Sequence, residues 1–344
     1  MVIDTSAKAG RGIRLGRNNR QTRHLIAALN ALKICVSLAA LTLVLVIAPL
    51  SEIWDALAST SLILVSLAIV LQLLLRLLTA WRMQLIARLQ GLSLSLFQTL
   101  RILFATAFYG LFLPGFLAGG VITFAKYIQH GATPASALTS LFANKGLEIM
   151  TIVLLGTSFW HYDQSVSVIW LVPAFVFTAL AVIGFRLVGE HYGNLHWLTR
   201  KLEREGNSQL HQQLAPLLRQ VAKLGTLPLG SVCKLLLLAA VSHLLAAASM
   251  HTFASAMGIH VPYSTVMWVF SAVYIMGMLP LSIGNLGVRE ATMIFLLQPF
   301  GISAAEAAAW SFLMYGGLVC SAMVGALGEG YDLWRQKGEK GCTR

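Results

Sequence analysis

Five ionisable residues stand inside or directly beside long apolar runs: Lys126, Lys145, Glu148, Arg289 and Glu290. A charge at the centre of a bilayer costs about 2.5–3.5 kcal/mol on insertion scales, so such residues are held there by pairing or by a task. Lys145 and Glu148 are three apart, on one face of a helix. Arg289 and Glu290 directly follow the broken run Leu279-Pro280-Leu281-Ser282-Ile283-Gly284-Asn285-Leu286-Gly287, and Lys126 follows a second break, Leu113-Pro114-Gly115-Phe116-Leu117-Ala118-Gly119-Gly120. A helix restarting after Gly119-Gly120 or after Gly287 offers unbonded N–H groups and the positive end of its dipole to an anion. A guanidinium such as that of Arg289 can hold two phosphate oxygens at once. Arg289, Lys126 and Lys145 therefore suit a phosphate, with Glu148 and Glu290 as balancing or coupling carboxylates. The plainer alternative is that these charges pair with one another and hold a helical bundle together. His243, alone on an apolar helix, reads as a hydrogen-bonded packing residue. Gly317, Ser321 and Gly325 read as a helix-packing surface.

The segments that must position these residues are those of a membrane protein. The chain is 57% hydrophobic and 11% charged, with a mean hydropathy of +0.74, and soluble domains carry about 25% charged residues. Apolar runs over 33–50, 57–79, 137–158, 166–185, 232–257 and 307–328 are long enough to span. The two broken runs lie between them. Residues 1–32 form a basic arm with Arg11, Arg14, Arg17, Arg20 and Arg23 at every third position, and it has no aromatic residues to stack on bases. That arm suits anionic lipid headgroups rather than nucleic acid. The basic segment 190–228, with Trp197, Leu198 and Leu202, reads as an interfacial amphipathic helix, and 331–344 as a cytoplasmic tail. The four cysteines have neither metal-ligand nor disulfide-framework spacing. No phosphate loop, His-Glu-x-x-His motif or Gly-x-Ser-x-Gly elbow is present, so no metal, cofactor or catalytic residue is expected.

Loop charge sets the orientation. Connections 51–56, 159–165 and 258–264 lack Lys and Arg, whereas 76–101, 186–228 and the tail carry them. Both termini therefore belong on the cytoplasmic side. With that orientation residues 97–136 and 261–303 must each cross an even number of times, and these are the stretches interrupted by Pro and Gly. Leu113-Pro114 and Leu279-Pro280 correspond, as do Phe142 and Phe312, and Gly146 and Gly316. The expected fold is an all-α polytopic membrane protein with about six full spans and two broken or re-entrant hairpins in an inverted repeat. Paired broken segments of this kind mark a substrate site near the midplane of secondary transporters.

The run from Leu279 to Ala291, with Phe300-Gly301-Ile302-Ser303 and Ala305-Glu306-Ala307 beyond it, resembles the flippase-like membrane domain of lysylphosphatidylglycerol synthases. The resemblance extends over residues 33–330, and Asn144-Lys145 looks like that family's Asp-Arg pair. Phe116 stands where members often carry Arg, Gly120 where an acid is common, and Thr123 near an expected Arg, for which Lys126 is a candidate replacement. The resemblance implies a non-enzymatic lipid transporter that moves a polar, phosphate-bearing lipid between leaflets of the inner membrane. The synthases' aminoacyl-transferring domain is expected after the membrane part, and the chain ends soon after its last apolar run. A second reading is a non-transporting scaffold subunit for a separate lipid- or glycan-modifying enzyme. Such an enzyme and a second copy of the chain are the candidate protein partners.

Overall fold

The computed structural model describes residues 35–112, 117–164, 219–279 and 284–341, with single positions 176, 179, 180, 183, 184, 216 and 282. Every regular element among them is helical: α1 (Cys35–Ile47), α2 (Leu50–Ala58), α3 (Leu62–Leu89), α4 (Leu96–Phe112), α5 (Leu117–Gln129), α6 (Pro134–Gln164), α7 (Leu229–Ala256), α8 (Tyr263–Met278), α9 (Val288–Leu297) followed by a 3₁₀ turn, and α10 (Ala304–Gly341). Four of these, α3, α6, α7 and α10, are long and apolar enough to cross a membrane, and α1–α2 supply a fifth if that pair, bent by 73°, counts as one span. The chain is a multi-pass membrane protein. Six full spans are not all seen: the expected span 166–185 lies outside the described residues apart from isolated positions, as do the basic arm and most of segment 190–228.

Several boundaries differ from the sequence expectation for local physical reasons. Connection 51–56 is helical and forms α2, which buries Ile53 and exposes Leu50 and Trp54, an arrangement suited to the membrane interface. α3 runs on past Arg76 and Arg82 because no Gly or Pro interrupts it before Gly91. α6 absorbs most of the expected connection 159–165, and α10 continues through most of the expected tail.

The order long helix, short helix, break, short helix, long helix occurs twice. α3–α6 have 28, 17, 13 and 31 residues, and α7–α10 have 28, 16, 10 and 38. α3 and α7 even end alike. Leu92 N–H reaches Ala87 O at 2.9 Å around Gly91, and Ile259 N–H reaches Ala254 O at 3.0 Å around Gly258. These are Schellman turns, and the glycines have φ +84° and +73°.

The most extensive helix packings are α3 on α7, α4 on α10 and α8 on α6. All three pairs are antiparallel. Ser61 N–H donates to Ala256 O at 2.8 Å, and Ser249 Oγ donates to Ala68 O at 2.9 Å. Gly325 lies against the backbone of Phe104, and a Cβ on Gly156 would stand 2.6 Å from that of Ser271. Exchanging the two units maps α3/α7 onto itself and α4/α10 onto α8/α6, a pairing pattern that a two-fold axis perpendicular to the helices produces.

Two cores flank α3. One gathers α7–α10 around Trp310, whose Nε1 donates to Met250 O at 2.9 Å, with Val65 and Ile69 of α3 packed on it. The other gathers the starts of α4 and α6 and the end of α5 around Tyr127, with Met83 and Ala87 of α3 inside it. α1 closes over the second break: Gly287 has φ +82°, and a Cβ there would stand 2.6 Å from Ala40 Cβ and 2.9 Å from Leu41 N. Gly301 has φ +76° with open space around it. Gly301→Ala is therefore expected to cost about 1–2 kcal/mol of backbone strain alone. Gly287→Ala adds an overpacking cost of about 1–3 kcal/mol. Thermal unfolding of the detergent-solubilised protein checks the order, and equal shifts for the two variants would refute the close approach of α1.

Candidate functional site

The sequence-selected charges do not share one pocket. They form three groups, and each group recruits residues that sequence reasoning passed over.

The first group lies between α3, α6, α7 and α8. Arg82 is 1% exposed and Glu148 7%. Arg82 Nη2 donates to Glu148 Oε1 at 2.5 Å and Nε donates to Asn144 Oδ1 at 3.0 Å. Asn144 Nδ2 also reaches Oε1, at 3.0 Å. Lys145 Nζ and Tyr274 Oη donate to Oε2 at 2.6 and 2.7 Å. Glu148 thus accepts four hydrogen bonds, about the full capacity of a carboxylate. His243 Nε2 lies 3.2 Å from the Glu148 backbone carbonyl and its ring stands edge-on to Tyr274, the role of a hydrogen-bonded packing residue. Two cations face one carboxylate here, which leaves the group net positive. Arg82 Nη1 is buried without a hydrogen-bond partner among the described residues.

The second group follows the second break. Arg289 Nη2 and Nε reach Glu290 Oε1 at 2.5 and 3.1 Å, and Nε also donates to Ser311 Oγ at 2.7 Å. The guanidinium stacks 4.9 Å over the Tyr315 ring. Glu290, fully buried, turns its other oxygen back to the Gly287 N–H at 2.6 Å. That bond is half a capping box, because glycine has no side chain to complete it. The Arg289 N–H is taken by Asn285 O at 3.1 Å. The helix start expected to face an anion is therefore capped in part by its own chain.

The third group is Lys126, which pairs with Glu329 of α10 at 2.5 Å while Tyr109 Oη reaches the other carboxylate oxygen at 3.2 Å. It ties the α4–α5 hairpin to α10, away from the other two. Gly119 and Gly120 fall in the first turns of α5, where a Cβ on Gly119 would stand 3.1 Å from Thr106 Cγ2. Thr106 and Thr123 hydroxyls meet there at 2.9 Å. Gly119 thus permits close α4–α5 packing. Gly317 and Gly325 likewise admit Gln72 and Phe104 against α10.

The second interruption approaches the end of α4. A Cβ on Gly284 would stand 3.4 Å from Tyr315 Oη and 3.9 Å from Leu111 O, which is close to the first break. Residues 113–116 of that break lie outside the described residues.

With this arrangement in view, comparison with known families is informative. The lysylphosphatidylglycerol synthase TM region matches residues 30–318. The chain belongs to that family. Among curated proteins none is significantly similar to it. Within this lysylphosphatidylglycerol synthase-family membrane region, the acid–base pair at a break occurs once, as Arg289–Glu290. The corresponding Gly119-Gly120 carries no charge, and Arg82–Glu148–Lys145 supplies the charge of the first unit from helices instead.

Loop charge alone places Arg82 in the cytoplasmic connection 76–101, whereas the structure keeps it on α3. The absence of any helix breaker between Leu62 and Gly91 was the available signal that it stays on the helix. Tyr274, Ser311, Tyr315 and Glu329 gave no such signal, because only packing brings them to the charges. Removing one member of a buried ion pair costs about 3–5 kcal/mol, whereas replacing both with apolar groups is often neutral. Glu148→Leu is therefore expected to lower stability by about that amount, and Arg82→Met together with Glu148→Leu to recover most of the loss. Denaturant unfolding in mild detergent measures this cycle, and additive losses would show that the pair is not coupled.

Proposed function

We propose that the chain is a non-enzymatic lipid transporter that moves a phosphate-bearing lipid between leaflets of the inner membrane. One observation carries this reading: the second interruption, at Gly284, approaches Leu111 of the first hairpin and Tyr315, in a bundle that also holds a charged group with more cations than carboxylates. Irregular backbone at membrane depth is tolerated where it is buried in protein or lines a wet cavity. An excess positive charge beside such a cavity favours an anionic headgroup. Membership of the lysylphosphatidylglycerol synthase transmembrane family supports a lipid-related role. In this reading both termini are cytoplasmic, the two units form an inverted-topology repeat of about six full spans and two hairpins, and the hairpins enter from opposite faces. Lys145 and Arg289 guide the phosphate past their carboxylates, and Glu148 and Glu290 balance the charge when the lipid has left. Lys126, held by Glu329, ties the hairpin to α10 rather than binding lipid.

The test uses purified full-length protein in liposomes containing fluorescent phosphatidylglycerol, with dithionite quenching from outside. Faster loss of inner-leaflet fluorescence than in protein-free liposomes is expected, and an equal rate would sink the transport reading. Arg289→Ala should slow the movement about tenfold or more, the effect of losing a charged hydrogen bond. An unchanged rate removes Arg289 from the path. Replacing residues 190–215 with a short Gly/Ser link should leave the rate intact, since the proposed path lies among the spans.

A further inference from the structure

Every cation favoured by sequence reasoning already has an acidic partner in the protein. Arg76 does not. It lies on α3, fourteen residues from Leu62 and thirteen from Leu89, so at 1.5 Å per residue it stands roughly 20 Å from either end. Among the described residues it has no hydrogen-bond or ion-pair partner, and neither has Gln72, one turn earlier. Both side chains are half-buried. Ala80, one turn further on, and Ala68, two turns before, are fully buried. On the packed face of a span, accessible surface at that depth opens into a cleft between helices; on the outer face it would meet lipid.

The helix face tells where that cleft is. Val65, Ile69, Gln72, Arg76, Met83 and Ala87 fall on one stripe of α3 at 3.6 residues per turn. The first two pack on the α7–α10 core and the last two in the α4–α6 core. Gln72 rests on α10 at Gly317, where even a Cβ would collide with its amide. Arg76 therefore occupies the seam between the two cores, on the face of α3 that turns toward α10 and the α4–α5 hairpin. A lone guanidinium at this depth is costly, and that cost is relieved by water or by an anion.

We infer that Arg76 and Gln72 form an anion-binding subsite for the phosphate of a lipid headgroup. The guanidinium presents a planar fork of donors to two phosphate oxygens, and the Gln72 amide adds a neutral donor one turn outward. This rests on the transport reading for its purpose, but the binding itself is separable.

The experiment is a thermal-stabilisation titration of full-length protein in mild detergent. Its probes are dioctanoyl-phosphatidylglycerol, dioctanoylglycerol as the headgroup-free arm, and inorganic phosphate as the free-anion arm. Wild type should bind the phosphatidylglycerol more tightly than either other probe. Arg76→Gln should weaken that binding about ten- to hundredfold, the effect of losing a charged hydrogen bond, and Arg76→Lys should weaken it less. Gln72→Leu should weaken it by a smaller factor. Without ligand, Arg76→Gln should melt at or above the wild-type temperature, because it removes an unpartnered charge. The inference is overturned by unchanged phosphatidylglycerol affinity in Arg76→Gln, or by a ligand-free Arg76→Gln that melts lower, which would make Arg76 structural. It is also overturned if inorganic phosphate binds wild type as tightly as the lipid, or if no probe binds. Binding that needs Arg76 in a protein that moves no lipid in liposomes would refute transport and leave the subsite standing. Lipid movement with binding indifferent to Arg76→Gln would do the reverse.

Discussion

A carboxylate inside a membrane has no water to solvate it, and Glu148 is where this chain meets that constraint. Both oxygens are saturated by Arg82, Asn144, Lys145 and Tyr274, donors carried on α3, α6 and α8. His243 of α7 adds a contact to the Glu148 main chain. Four helices are thereby referenced to one residue. The arrangement is costly to break at any single point, because each loss strands a charge at low dielectric. It also exceeds neutrality by one cation, so the same group that locates the helices biases the interior toward anions.

The repeated architecture explains why charge and irregular backbone come together. Each unit interrupts a short helix pair with Pro and Gly, and the antiparallel packing of α3 on α7 brings one unit's hairpin beside the last helix of the other. Gly284 approaches Leu111 of the other unit, as well as Tyr315 of its own. The two units have diverged in their chemistry. The second keeps a neutral Arg289–Glu290 pair at its break, stacked on Tyr315. The first has glycines there and draws its charge from Arg82, Lys145 and Glu148 instead. In the proposed reading, phosphate is attracted by what the pairs leave over: Arg76, the Arg82 nitrogen that has no partner among the described residues, and the surplus positive charge around Glu148.

Much of the fold was legible in the sequence, because long uncharged runs bounded by loop charges have few other readings. The spans at α3, α6, α7 and α10 and the two interruptions all follow from hydropathy and from Gly and Pro. The rest was hidden for specific reasons. Residues 51–56 read as a connection between two apolar runs, whereas they form α2 because Ile53 and Leu57 give it a packed side. Arg82 reads as a topology signal from sequence, since its charge is the same whether it faces cytoplasm or a buried carboxylate. Lys126 looked like a neighbour of the first break, but its partner Glu329 is 203 residues away along the chain.

By itself, then, the sequence determined that this is a helical membrane protein with two interrupted segments, and it singled out the residues whose charges would be expensive in lipid. Those features depend on composition and local spacing, which the chain carries without reference to its fold. Only the tertiary structure decided which charge meets which. Pairing depends on the faces that antiparallel helices turn to one another, and sequence separation does not encode that. Packing brought Arg82 to Glu148 and Glu329 to Lys126, while Lys145–Glu148 and Arg289–Glu290 paired locally, and Arg76 was left at the seam without a partner among the described residues.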